Sequence, residues 1–169
     1  NLLGVNSRIF LDFEDGGYLD EMQLRRSIIS VMRETKPDFV LTVDPFLPYE
    51  AHPDHRRVGM AVAEACMFGT NMSEGSEESD EKCWSISGIV FHSTAYPNTF
   101  IGVDETWELK IKAILAHRSQ FSSESFQLLG RYFDDKSRQY AKGRSFMRAE
   151  AFKVLPPILL HMCVDTINL

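Results

Sequence analysis

The chain has 169 residues, 44% of them hydrophobic and 25% charged, which is enough apolar material for one domain with a core. Its net charge of −6 argues against nucleic acid or another polyanion as partner, because phosphate binding needs a basic face. No apolar run reaches the length of a membrane span: the longest, 154–164, is short and is broken by Pro156, Pro157 and His161.

Cys66, Cys83 and Cys163 are widely spaced and odd in number. They suggest neither a disulfide framework nor a cysteine-based zinc site, and a reducing, cytoplasmic setting fits them best. No signal peptide is visible, although the sequence opens on Asn1 rather than on a methionine.

In chain order, Arg8 to Phe13 reads as a short strand rich in aromatic and branched residues. Glu14-Asp15-Gly16-Gly17 is a turn. From Asp20 to about Thr35 the pattern is helical, with Met22, Ile28, Ile29 and Met32 near one face. Lys36-Pro37-Asp38 stops it. Phe39 to Val43 is a nearly continuous apolar run, the pattern of a strand buried on both faces.

Residues 44–51 form a loop. Pro53 to about Phe68 is helical again, with a stripe of Val58, Ala61, Val62, Ala65 and Cys66. Residues 71–82 are polar and acidic without a period and read as a mobile surface insert; their spacing does not match an EF-hand loop. Ser87 to His92 and Thr99 to Val103 read as strands. Asp104 to about Ala116 is a helix with Asp104 as N-cap and Trp107, Ile111, Ile114 and Leu115 inward. A further helix covers roughly Ser123 to Lys142, and the chain from Arg144 onward has no clear pattern.

Strand and helix alternate as in an α/β fold with a parallel sheet. Ligands of such sheets bind at the carboxyl ends of the strands. The loop at 44–55 and the turn at 14–17 both fall on that rim. The loop contains His52-Pro53-Asp54-His55. Pro53 keeps His52 out of helical dihedrals and suits the first helical position, so His52 sits at the helix entry and Asp54 and His55 in the first turn. Asp54 is favoured there by the helix dipole. A neutral imidazole is the form that binds a metal, and one histidine can do so while the other faces a substrate. Taken alone, the stretch has a plainer reading as a polar helix start, since X-Pro-Asp is a common opening, though the functional reading is the stronger one. His92 and His161 read as structural, and Trp107 and the methionines as core. Ala116 to Gln120 alone is an ordinary polar helix end.

Taken together, the ordered stretches resemble one family: the first strand with Asp15-Gly16, the buried strand, His52-Pro53-Asp54-His55-Arg56 with Gly59, His117-Arg118-Ser119-Gln120, and Ala149-Glu150-Ala151-Phe152. They look like the LmbE-like zinc deacetylases, also called the PIG-L family, whose members remove acetyl groups from N-acetylglucosamine-type substrates. The likeness runs from about Leu3 to Phe152.

It implies a single Rossmann-like α/β domain over 1–169, with a mostly parallel sheet, helices on both faces and one zinc, or another divalent metal, at the carboxyl rim. By the resemblance His55 binds the metal, His52 stabilises the tetrahedral intermediate, Asp54 supports the histidine pair, and Asp15 is an acidic residue near the pocket. His117 matches a late family histidine on the substrate side. The expected substrate is a small acetylated amino sugar or its conjugate, and a homo-oligomer is compatible with the sequence.

One departure is large. The family's earlier His-Pro-Asp-Asp motif, which supplies two further zinc ligands and the general base, is absent from the chain. A catalytic zinc needs three protein ligands and an open position. The expectation is therefore that an upstream segment of the same polypeptide supplies the missing strand, loop and ligands, and that without it an apolar sheet edge lies open. Two other readings remain: a different metallohydrolase, such as a phosphoesterase with several scattered ligands and often two metals, and a non-catalytic or inactive fragment of the same fold.

Overall fold

The computed structural model describes residues 2–17, 19–69 and 84–169. The acidic insert expected at 71–82 lies outside them. The elements, in order, are α1 (Glu21–Thr35), β1 (Phe39–Val43), α2 (Pro53–Phe68), β2 (Gly88–His92), β3 (Thr99–Gly102), α3 (Trp107–Leu115), α4 (Ser123–Ala141), β4 (Ala149–Leu155) and a 3-10 turn at Pro157–Leu160. Two compact units are distinguished. One comprises Ile9–Thr99 with Phe152–Leu169, the other Asn1–Arg8 with Phe100–Ala151.

The strands are ordered β1-β2-β4-β3. β1 pairs parallel with β2, from Phe39 opposite Gly88 to Val43 opposite His92. β2 pairs antiparallel with β4, from Ile89 opposite Leu155 to Phe91 opposite Lys153. The fold is α/β as expected, with a sheet that is parallel only in part.

In the first unit Asp20 caps α1, accepting from the amides of Met22 (3.0 Å) and Gln23 (3.1 Å). Lys36 ends the helix in the left-handed region, one residue before Pro37. Leu24, Ile28 and Met32, four residues apart, form its buried face. Met22, expected inward, is exposed: it is two positions from Leu24 and so on nearly the opposite side of the helix. The α1 face packs with Ala61, Val62, Ala63, Ala65 and Cys66 of α2, Ile89 and Phe91 of β2, and Leu155 of β4. Each large side chain buried this way contributes about 1.5–3 kcal/mol. Val58 was also expected in this stripe but is exposed.

Two strand expectations change. Residues 8–13 form no strand; Asp12 adopts φ 53, which turns the chain out of an extended run. β1 is not buried on both faces: Phe39 and Leu41, on one face, are 60% and 62% exposed, while Val40 and Thr42 turn to the other, more buried face. Phe39 and Leu41 join Ile9, Leu11, Ile28 and Met32 in lining an apolar groove of about 320 Å³.

In the second unit Trp107 is buried, with Lys110 and Arg148 over its ring at 5.8 and 5.1 Å. Leu115, expected inward like Trp107, is exposed. Asp104 is not the α3 cap. Its carboxylate accepts from the amides of Met147 (2.9 Å) and Arg148 (2.7 Å), and Thr106 takes the N-cap position without a side-chain capping bond. Among the described residues no helix is long and apolar enough to cross a membrane.

Candidate active site

The site is built where β1 hands over to α2. After Val43 the chain makes a loop through Pro45 and Pro48, and Tyr49 takes the left-handed region at φ 66. His52 is extended (φ −68, ψ 115) at the N-cap position of α2, and Pro53 opens the helix, as the sequence suggested. The His52 and His55 rings stack, with centroids 4.4 Å apart and planes 19° from parallel.

The turn at Asp15–Gly16 comes to the same place. Gly16, at φ +69, donates its amide to Asp54 Oδ2 at 2.7 Å. The other Asp54 oxygen lies 3.8 Å from Arg57 Nη1. Asp15, His52 and Asp54 each offer a ligand atom, and these atoms lie within 4.8 Å of one another, with Asp15 and His52 exposed and Asp54 half-buried. Thus two loops that are 38 residues apart in sequence meet on one rim.

Asp54 makes its hydrogen bond to Gly16, and the carboxylate that reaches an imidazole is Glu50. Its Oε2 lies 3.2 Å from His55 Nδ1 and its Oε1 accepts the His52 amide at 2.8 Å. These contacts, the His52 amide bond foremost and the His55 ring next, hold the Glu50 carboxyl below its ordinary value. Sequence reasoning missed Glu50, since a loop carboxylate has no period to mark it. His117 lies in the other unit, exposed in the turn after α3. Its amide bonds the Ile114 carbonyl at 3.0 Å, and its own carbonyl accepts from Gln120 at 2.9 Å.

The donor set suits a metal of borderline softness, because imidazole and carboxylate together are zinc ligands. With its Nδ1 facing a carboxylate, His55 has Nε2 available, the arrangement found in histidines that bind metal. A charged groove of about 360 Å³ runs along the first turns of α2, lined among others by Glu21, Arg56, Arg57 and Glu64. A larger cavity of about 480 Å³, with Asp44, Phe46, Phe91, Tyr96 and Lys153 in its walls, does not include the histidines.

Residues 1–66 match the family described as PIG-L, GlcNAc-PI de-N-acetylase. Over 164 residues the chain is 34% identical to a diacetylchitobiose deacetylase of Thermococcus kodakarensis, which covers 96% of this chain and 61% of that protein. It is 28% identical over 138 residues to a probable N-acetyl-alpha-D-glucosaminyl L-malate deacetylase 2 of Bacillus anthracis, covering 79% of the chain and 58% of the relative. The solved N,N'-diacetylchitobiose deacetylase of Pyrococcus horikoshii, crystallised with its inhibitor, superposes with a TM-score of 0.83 at 30% identity, over 95% of this chain and 61% of that one. The chain therefore spans about three fifths of the length of these relatives. The chain is thus similar to the PIG-L, or LmbE-like, family over residues 1–66, and to named deacetylases along nearly its whole length.

Proposed function

We propose that this chain is part of a metal-dependent N-deacetylase that hydrolyses the acetamide of an N-acetylglucosamine-type sugar or conjugate. Water adds to the acetyl carbonyl, the C–N bond breaks, and acetate and the free amine leave. The observation that carries the reading is the convergence of Asp15, His52, Asp54 and the Glu50-held His55 at one helix entry on the sheet rim, in a chain whose relatives are named deacetylases of such sugars. His55 is the residue assigned to the metal, with zinc the expected ion.

Zinc, when bound, supplies a Lewis acid and lowers the pKa of water to about 7. His52 donates to the oxygen on which negative charge develops, a contribution of about 3 kcal/mol for one well-placed donor. Asp54 fixes the Asp15–Gly16 turn against α2. Asp15 stands beside the histidines as an acidic group of the pocket, and a substrate role for His117 rests on the family resemblance alone. The remaining ligands and the general base come from a segment outside these residues, whose strand would cover Phe39 and Leu41 on β1. A cytoplasmic setting is the expectation, in keeping with three widely spaced cysteines, and a homo-oligomer is compatible with the fold.

The test is zinc content and acetate release from N,N'-diacetylchitobiose, measured on the whole polypeptide. His55→Ala should lose metal and activity. His52→Ala should keep metal and lose chiefly kcat, and His117→Ala should raise KM. A second reading is favoured by the proximity of Asp15, His52 and Asp54, which would make those three the metal seat. Loss of zinc in His52→Ala with retention in His55→Ala would establish that reading and overturn the first.

A further inference from the structure

We propose that Glu50 is a positioning residue, which locks His55 in the tautomer that carries its proton on Nδ1 and so presents a bare Nε2. Three observations support this. The Glu50 carboxylate bridges two partners, with Oε1 on the His52 amide at 2.8 Å and Oε2 on His55 Nδ1 at 3.2 Å. An ionised carboxylate only accepts, so the Nδ1 facing it must be the protonated nitrogen, and in a neutral ring Nε2 is then unprotonated. Tyr49, directly before Glu50, has φ 66 with its side chain fully in solvent. A bulky residue held in the left-handed region needs compensation from its surroundings and is found most often at functional sites. Here it reverses the chain, so that Glu50 points back at the helix entry with its side chain only 21% exposed.

The arrangement also fixes the ring plane. His55 is held on one side by Glu50 and on one face by the His52 ring at 4.4 Å. A single carboxylate thereby sets the backbone at the helix entry and the ring of the following turn. Metal-binding histidines owe both tautomer and orientation to such partners, and removal of the partner commonly weakens metal binding by about 10–100-fold. The consequence for the metal rests on the reading of His55 given above, whereas the tautomer does not.

Glutamine at position 50 is the informative change. Its single carbonyl oxygen is needed by the His52 amide, which leaves the NH2 group facing His55 Nδ1. Nδ1 must then accept, and the proton moves to Nε2. Glu50→Gln should therefore invert the tautomer although it keeps size and shape, and Glu50→Ala should release it. The experiment is 15N-edited NMR of histidine-labelled, metal-free whole polypeptide, together with zinc affinity by competition with a chromogenic chelator.

The expected result is a mainly Nδ1–H ring in the parent, a mainly Nε2–H ring in Glu50→Gln, and zinc weakened about 10–100-fold in both variants with far-UV circular dichroism unchanged. An Nε2–H ring in the parent, or the same tautomer in all three proteins, overturns the proposal. Should His55→Ala bind zinc like the parent, the metal role of His55 fails, and the tautomer readout still decides the role of Glu50.

Discussion

Gly59→Ala should damage this protein, although alanine is the better helix former. Gly59 lies on α2 four residues after His55, one turn further along the same face. A Cβ placed there would stand 2.6 Å from the Val43 carbonyl oxygen and 3.0 and 3.1 Å from the Pro45 ring. Val43 is the last residue of β1, in register with His92, so its oxygen has no rotamer to escape into. To restore a contact of 3.0–3.4 Å, α2 must withdraw by roughly 0.4–0.8 Å. Overpacking of this kind costs about 1–3 kcal/mol, and a rigid backbone partner puts it near the upper end. Alanine returns about 1 kcal/mol of helix propensity. The net loss is about 2 kcal/mol, or a fall in Tm of about 4–8 °C for a domain of this size. The helix that withdraws also carries His52 and His55, and misplacement approaching 1 Å can cost about 100-fold in rate. The control is Gly130→Ala on α4, where the nearest atoms to the new Cβ belong to the Phe126 ring, at 3.1 Å and beyond. That ring can swing, so this change should be neutral or stabilise by up to about 1 kcal/mol. Thermal melts and urea titrations of both variants decide the matter. If Gly59→Ala melts at or above the parent, the close approach of α2 to β1 is not what fixes the site.

Other consequences can be checked alongside. Burial pushes the Cys66 thiol up to about 12 while Cys163 is exposed, so iodoacetamide at pH 8 followed by peptide mapping should label Cys163 quickly and Cys66 only after denaturation. Hydrogen bonds from Arg138 first and Arg148 next hold the Asp134 carboxyl below its ordinary value; its stabilising contribution is thus complete above the unfolded value of about 3.9 and is lost as pH falls through the lower folded value. Asp134→Asn should accordingly lower the urea midpoint at pH 7 and converge on the parent in acid, and parallel curves over the whole range would refute this. Asp54→Ala removes the acceptor of the Gly16 amide, so exchange of that amide should quicken several-fold, in keeping with about 1 kcal/mol for one hydrogen bond, while amides of α1 keep their rates.

The sequence was most legible where local signals agreed. Pro53 at the first helical position and the Ala61, Val62, Ala65, Cys66 stripe placed α2 at its observed ends, and turn residues on both sides bounded β1 correctly. It was least legible where a polar residue plays an interior part. Lys153 is buried in β4 and donates to the carbonyls of Ile167 and Leu169 at 3.0 and 2.9 Å, a satisfied charge that breaks the alternation of a strand and hid β4. Asp104 looked like a helix cap because it precedes one, yet its partners are main-chain amides more than 40 residues away. Conversely, Arg8 to Phe13 had strand composition but is bent at Asp12. Composition reports what a segment can pair with, and pairing is a property of the partner as well.

The same distinction divides the candidate site. Four of its devices are local: the left-handed Tyr49, the Glu50 bridge, Pro53 at the helix start, and Gly59 where α2 meets β1. They lie within one short stretch and set the two imidazoles with little help from the rest of the fold. Asp15 is different, since its place depends on the Gly16–Asp54 bond between segments far apart in sequence. A perturbation that loosens the first unit should therefore release Asp15 before it disturbs the stacked histidines. Such a protein would keep a metal held through His55 and lose it if Asp15 and Asp54 hold the ion. Zinc retention in mildly destabilised variants, such as Ile28→Val in the α1 core, thus separates the two metal assignments without altering any ligand.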